Sequence, residues 1–226
     1  MIQFHKTFVA ITIAFAALVS ANASTITLGS YGTTAVNPGF DNTATSYLPL
    51  TSTVNSGTGA TYNISAGSTW HAALPGSSYV SFNSGTGPTG SVVVPNGNYV
   101  YTTSFNAIGT NASTVGTLTV LADDTVSIFL NNVLILQAGG LMGADNSYAS
   151  CSDTGPNCLT PLTFSFSGIS EGLNELTFDV KQVNLVNEGL DYSGTISTVP
   201  EPASLALFGT GMFSVIGLMR RFRGAK

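Results

Sequence analysis

The sequence predicts an all-β protein, a two-sheet antiparallel β-sandwich flanked by an N-terminal signal helix and a C-terminal transmembrane helix. Three observations lead to this fold class. Residues 24–197 are rich in Thr, Ser, Gly, Asn and Val, which favour strands and turns over helices. Apolar and polar side chains alternate there in short runs separated by turn residues. Outside the two ends, no stretch of useful length repeats its apolar residues with helical spacing.

The strongest strand signals lie between residues 115 and 136. Two alternating runs are separated by Asp123-Asp124, which predicts a corner between strands. Asn131-Asn132 predicts a two-residue turn, because Asn tolerates a positive φ. The return strand, residues 133–136, is apolar enough to be buried on both faces.

The remaining strands are shorter or less regular. An early strand near residues 25–28 should be followed by long loops up to residue 61. Further strands are expected at residues 60–64, 79–82, 99–105, 163–167, 175–181 and 191–197. Eight to ten antiparallel strands in about 175 residues are enough for one domain with its own core.

The charge of this region limits its partners. Of the six Lys and Arg residues only Lys181 lies between residues 24 and 199, against ten of the eleven acidic residues, for a net charge near −9. A nucleic-acid partner is excluded because binding needs a basic footprint. Neutral glycans, divalent cations and apolar partners remain open.

The first 23 residues have the pattern of a signal peptide. Lys6 precedes an apolar run over residues 7–19, and Ala21 and Ala23 form a small-x-small cleavage site that leaves Ser24 as the first mature residue. The run is short for a membrane-spanning helix. The general secretion machinery is therefore the expected export route, and a retained N-terminal anchor is the alternative.

Residues 198–226 form a second targeting segment. A rigid, extended motif, Val199-Pro200-Glu201-Pro202, precedes an apolar run over residues 203–219. Arg220, Arg221 and Arg223 follow, and these residues form a basic stop that keeps the C-terminus in the cytoplasm. A permanent single-pass anchor would have the same hydropathy.

This combination closely resembles the PEP-CTERM sorting signal of Gram-negative bacteria. The resemblance implies recognition by an exosortase that cuts near the motif, so that the inner membrane holds the protein only transiently. The mature protein would then reach the cell surface or the extracellular space. PEP-CTERM proteins occur with exopolysaccharide-producing systems, so the resemblance also implies a partner in the matrix.

A second resemblance concerns the exported domain. The run Asp123-Asp124 followed by a strand ending in Leu130-Asn131-Asn132, together with the later strand entry at residues 172–178, is similar to galactose-binding-domain-like jelly rolls. Carbohydrate-binding modules share that fold, although Asn132 stands where glycine is usual. The resemblance implies a jelly-roll-like sandwich and glycan as a ligand, but the fold hosts many functions.

Four side chains are candidates for a ligand site. Trp70 and His71 could form its edge, and Tyr99 and Tyr101 could add a surface on which a sugar stacks. The alternative is that the aromatic rings pack in the core or between strands. Asp123 and Asp124 could hold a structural calcium ion with loop carbonyls, or they could be solvated turn residues.

The two cysteines, Cys151 and Cys158, are expected to form a structural disulfide in an exported protein. No residue is assigned a catalytic role, because one exported histidine and no free thiol leave no nucleophile–base pair. The sequence therefore predicts a non-enzymatic surface or matrix module that binds glycan. The alternatives are a purely structural or adhesive protein of biofilm or floc and, last, a secreted hydrolase using carboxylates such as Glu171 and Glu175.

Overall fold

The computed structural model describes residues 24–32, 51–54, 57–59, 61–110, 114–140, 155–183 and 187–198. This part of the chain is all-β and contains twelve strands. In chain order they are β1 (Ser24–Gly29), β2 (Thr51–Val54), β3 (Gly57–Gly59), β4 (Tyr62–Asn63), β5 (Val80–Ser81), β6 (Gly97–Ala107), β7 (Val115–Asp123), β8 (Thr125–Leu130), β9 (Val133–Leu136), β10 (Leu162–Phe166), β11 (Gly172–Gln182) and β12 (Gly189–Thr198).

The strands form two antiparallel sheets of six strands each. Sheet I has the order β10-β7-β12-β5-β4, and β1 also pairs with β12. Sheet II has the order β3-β2-β6-β11-β8-β9. The predicted all-β class and the two-sheet antiparallel arrangement are confirmed, whereas both terminal helices of the prediction fall outside the described residues.

The main core lies between the two sheets. Alternation along β6, β7, β11 and β12 sends every second side chain inward. Phe178 of sheet II stacks on Tyr192 of sheet I with ring centroids 4.3 Å apart. Leu118, Val120 and Leu176 are fully buried in the same cluster. Burial of this apolar surface is the main stabilising contribution to the sandwich.

The chain passes from sheet I to sheet II at Asp123-Asp124, which confirms the predicted corner. β7 ends at Asp123, and β8 begins at Thr125 in the other sheet. The corner is fixed against the end of β11, because the amide of Asp124 donates to the carbonyl of Lys181 at 3.0 Å. The amide of Val183 in turn donates to Asp124 Oδ2 at 2.6 Å.

The turn predicted at Asn131-Asn132 is also confirmed. Both residues have a positive φ, 50° and 66°, as a tight hairpin turn requires. Asn131 Oδ1 accepts the amide of Glu175 at 2.9 Å, and Asn131 Nδ2 donates to Asn174 Oδ1 at 2.9 Å. The turn is therefore joined to the neighbouring strand β11 by side-chain hydrogen bonds.

Two strand predictions are wrong. β9 is not buried on both faces, because it lies at the edge of sheet II and Val133 is 65% exposed. The long loops expected before residue 61 include a hairpin, since β2 and β3 pair with each other and β2 pairs with β6. The Ser, Thr and Gly residues of β2 and β3 resemble loop sequence, and they form strands because β2 pairs with β6 and β3 pairs with β2.

The signal peptide, the motif at residues 199–202 and the apolar run at residues 203–219 lie outside the described residues. Within the ranges that the structure describes, no helix has both the length and the hydropathy to cross a membrane.

Candidate functional site

Trp70 belongs to a small second core on the outer face of sheet I. Its ring lies 5.0 Å from that of Tyr79, and only 6% of its surface is exposed. Leu121 of β7 forms the base of this core, and Leu74 and Cys158 complete it. The loop of residues 64–79 thus covers the outside of sheet I and leaves little of the indole available to a ligand.

His71 differs from its neighbour because its side chain is exposed. Its backbone amide donates to the carbonyl of Cys158 at 2.9 Å, which joins the loop of Trp70 to the segment before β10. Cys158 is buried, and no described cysteine is free. Its predicted partner Cys151 lies outside the described residues, so the disulfide stays a prediction.

Tyr99 and Tyr101 are not brought to the surface. Tyr99 is 2% exposed and stacks on Phe82 at 5.0 Å, while its hydroxyl donates to the carbonyl of Pro95. Tyr101 is completely buried, and its hydroxyl donates to Glu188 Oε1 at 2.6 Å. The expectation that these rings stack on a sugar is corrected, because β6 directs both of them into the core between the sheets.

Glu188 is the first of two buried carboxylates that the sequence did not indicate. Ser81 of sheet I donates to its Oε2 at 2.6 Å, and Tyr101 of sheet II donates to its Oε1. The carboxyl group therefore bridges the two sheets inside the sandwich. Burial raises the pKa of Glu188 to about 7, although both hydrogen bonds favour the charged form.

Asp191 is the second, and it lies on the outer face of sheet I. Ser30 Oγ and Ser77 Oγ lie 2.9 and 2.6 Å from its Oδ1, and the amide of Leu74 donates to Oδ2 at 2.8 Å. One carboxylate thereby connects β12, the end of β1 and the loop of residues 64–79, which contains Trp70. Burial raises the pKa of Asp191, and these hydrogen bonds partly oppose that shift.

Asp123 and Asp124 act as corner residues in this structure. Asp123 is 8% exposed, and Asp124 caps the backbone after β11 as described above. Among the described residues no three His, Cys, Asp or Glu side chains are grouped so that they could hold a metal ion. Calcium coordination that also uses carbonyl oxygens stays a prediction.

The Glu171 carboxylate binds the loop that follows β6. It accepts the amide of Thr110 at 2.8 Å, the amide of Gly109 at 3.2 Å and the Thr110 hydroxyl at 3.0 Å. The backbone hydrogen bonds from Thr110 and Gly109 lower the pKa of Glu171. This arrangement stabilises the loop that follows β6 and keeps a charged acceptor there.

The outer face of sheet II carries a row that combines an aromatic side chain with hydroxyl side chains. The strand register places Phe129, Thr177 and Thr102 in one row across β8, β11 and β6. All three side chains are half-buried, and the row beside it contains Ser127 and Asp179. This face therefore presents the Phe129 ring in line with two threonine side chains.

Residues 198–223 match the family model described as PEP-CTERM protein-sorting motif. The chain carries a PEP-CTERM sorting signal. This signal begins at Thr198, the last residue of β12, so it follows the sandwich without a linker. A PEP-CTERM signal implies an exported protein that is sorted by an exosortase and held at the membrane by its C-terminal segment.

Among solved structures, the PEP-CTERM chain is similar to a family 35 carbohydrate-binding module from Clostridium thermocellum. The identity is 10%, the TM-score is 0.34, and the match covers 60% of this chain and 86% of the module. The comparison with curated proteins gave no match.

Proposed function

We propose that this chain is a non-enzymatic protein of the cell surface or extracellular matrix that is delivered by its PEP-CTERM signal and binds neutral glycan through its β-sandwich. The observation that carries the proposal is the direct attachment of the sorting signal to one domain with a single cationic side chain, Lys181. Such a domain has no basic surface for anionic polymers.

The row of Phe129, Thr177 and Thr102 supports glycan as the ligand. Adjacent strands are about 4.8 Å apart, so the Thr177 and Thr102 side chains are close enough for one sugar residue to reach both. The apolar face of a sugar can pack on the Phe129 ring while its hydroxyl groups exchange hydrogen bonds with the threonines. The ligand class proposed is therefore an uncharged polysaccharide of the matrix.

We expect Phe129→Ala to weaken binding to a neutral polysaccharide at least about tenfold, because an aromatic contact at the centre of a site carries a large share of the affinity. The mature protein isolated from its host is titrated with uncharged matrix polysaccharides, with and without a calcium chelator. Val93→Ala, at an exposed apolar position outside the strands of both sheets, is the matched control.

Equal loss in both variants would contradict the assignment of this face. Absence of binding to every uncharged polysaccharide, in either calcium condition, would favour a structural or adhesive protein without a defined ligand. Binding that disappears only with the chelator would support the calcium prediction at Asp123 and Asp124.

Replacing Pro200-Glu201-Pro202 by three alanines is expected to block C-terminal processing. The two prolines hold the motif extended, and alanines would let the apolar helix extend into it. Intact-mass measurement in the native host should show a retained C-terminus in the variant and a shortened one in the parent. Unchanged processing would show that the apolar segment alone directs sorting.

A further inference from the structure

The C-terminal end of β12 defines one end of the sandwich, here called the exit end. Ser197 pairs with Val115, the first residue of β7, and Gly172 pairs with Ala107, the last residue of β6. Residues 108–110, which follow β6, and residues 167–171, which precede β11, both lie at this end. The Asn131-Asn132 turn lies there too, because the amide of Asn131 donates to the carbonyl of Glu175.

Exposed apolar side chains are concentrated at the exit end. Seven large apolar residues of the described chain are exposed. Four of them lie on the elements that meet here: Ile108, Val115, Val133 and Leu173. Leu173 and Ile108 are the most exposed of the seven, at 75% and 68%. Single exposed apolar residues are ordinary, but their concentration at one end indicates a contact surface.

The loop that presents Ile108 is held in place. Glu171 binds the amides of Gly109 and Thr110, so the loop after β6 is fixed beside the start of β11, where Leu173 lies. No Lys or Arg of the described chain lies at this end, because Lys181 pairs with Asn98 and Thr125 at the opposite end. A partner of the exit end is therefore recognised through apolar contact and not through attraction of anionic groups.

The short distance along the chain between β12 and the apolar run indicates that the partner of the exit end is the membrane. From Thr198 the chain reaches Ala203, the first residue of the apolar run, in five residue steps, which span at most about 18 Å. While the apolar run is in the membrane, the end of β12 is therefore held within that distance of the lipid surface, and the exit end is the part of the sandwich that this tether keeps near it. A bilayer interface takes up exposed Ile, Leu and Val side chains favourably.

We propose that the exit end is a membrane-docking surface, which inserts Ile108 and Leu173 into the interfacial layer of the inner membrane while the PEP-CTERM signal is intact. Docking fixes the orientation of the domain and holds the Pro-Glu-Pro motif next to the lipid surface. Once the signal is cut, the few apolar side chains are insufficient to retain the protein. The proposal rests on the sorting signal and not on glycan binding.

The test uses the full-length protein in phosphatidylcholine vesicles. An environment-sensitive fluorescent amino acid replaces Leu173 in one protein and Val93 in another. Val93 is 65% exposed, comparable to Leu173, and lies close to Pro95 before β6, at the opposite end. A nitroxide-labelled lipid should quench the probe at position 173 several-fold more than the probe at position 93. Equal quenching at both positions would overturn the proposal.

A second measurement separates lipid from a protein partner. A photo-crosslinking amino acid at position 108 is activated in host membranes before processing. Adducts with lipid support the proposal. Capture of a membrane protein, with no lipid adduct, would assign the exit end to a protein contact instead. The processed protein should lose lipid quenching at position 173, and retention of that quenching would contradict release by cleavage.

Discussion

Replacing Glu188 by glutamine should remove the largest single contribution to the pH dependence of stability. The pKa of Glu188 is raised from 4.5 to about 7 in the folded protein, so between these values the folded state binds a proton that the unfolded chain has lost. The free energy of unfolding of the parent therefore falls as pH rises through this window, by on the order of 3 kcal/mol, and stays low above it. Glutamine cannot ionise and has no such penalty.

The measurement is urea unfolding of the mature protein and its Glu188→Gln variant from pH 4 to pH 8. The quantity compared is the difference in unfolding free energy between the two proteins. Asp191 and Asp179 also have raised pKa values, but they are present in both proteins and cancel in this difference. Relative to the parent, the variant should gain stability as pH rises. Parallel curves would show that the carboxyl group between Ser81 and Tyr101 does not titrate in this range.

Glu175→Gln is the matched control for the substitution. Glu175 is exposed on β11, so the same chemical change there removes no buried charge. Its curve should follow that of the parent across the pH range. A change as large as that of Glu188→Gln would mean that the overall charge of this acidic domain, and not burial, sets the pH dependence.

Asp191→Ala should destabilise the domain by roughly 2–4 kcal/mol, because three buried or partly buried donors lose a carboxylate acceptor, and only the two hydroxyls among them have a backbone carbonyl nearby as a second acceptor. These donors are the Ser30 and Ser77 hydroxyls and the Leu74 amide. We also expect this loss of stability to be greatest in one part of the domain. The loop over residues 64–79 should separate from sheet I before the main core unfolds, since Asp191 is a direct connection between them.

Trp70 is the single tryptophan of the chain and reports on that loop. In mild denaturant the Asp191→Ala protein should show red-shifted Trp70 emission while its far-UV signal remains native. Asp191→Asn retains one acceptor oxygen and should give a smaller shift. Glu188→Gln affects the main core and should leave Trp70 emission unchanged. Coincident loss of both signals in Asp191→Ala would contradict separate detachment of the loop.

The fold class could be predicted because its signals are local. Alternation along β7, β8 and β11 and the turn at Asn131-Asn132 need only neighbouring residues to be recognised. The bounds of β9 were predicted correctly but its burial was not, because its apolar sequence describes what the strand prefers, whereas its exposure follows from its edge position among the described strands of sheet II. Such an edge position is a property of the topology, which alternation does not encode.

The carboxylate networks were missed for a related reason. Glu188 finds its partners 87 and 107 residues earlier in the chain, and Asp191 reaches Ser30 across 161 residues. The sequence did contain one indication. Glu188 lies two residues before Leu190 and four before Tyr192, which both face the core, so an extended strand would place all three side chains on the same face. Extending the predicted last strand toward the N-terminus with the same alternation would have placed the Glu188 carboxylate inside the sandwich.

The position of β12 has a consequence for the timing of export. The strand lies in the interior of sheet I, where it pairs with β7, β5 and β1, yet it is the last strand of the domain in chain order. If the chain is exported N-terminus first, as its predicted signal peptide implies, sheet I cannot assemble around β12 until residue 198 has crossed the membrane, and by then the sorting signal has reached the membrane. The domain thus completes its fold only after the sorting signal has reached the membrane. A chain that stalls before the signal stays unfolded and accessible to proteases.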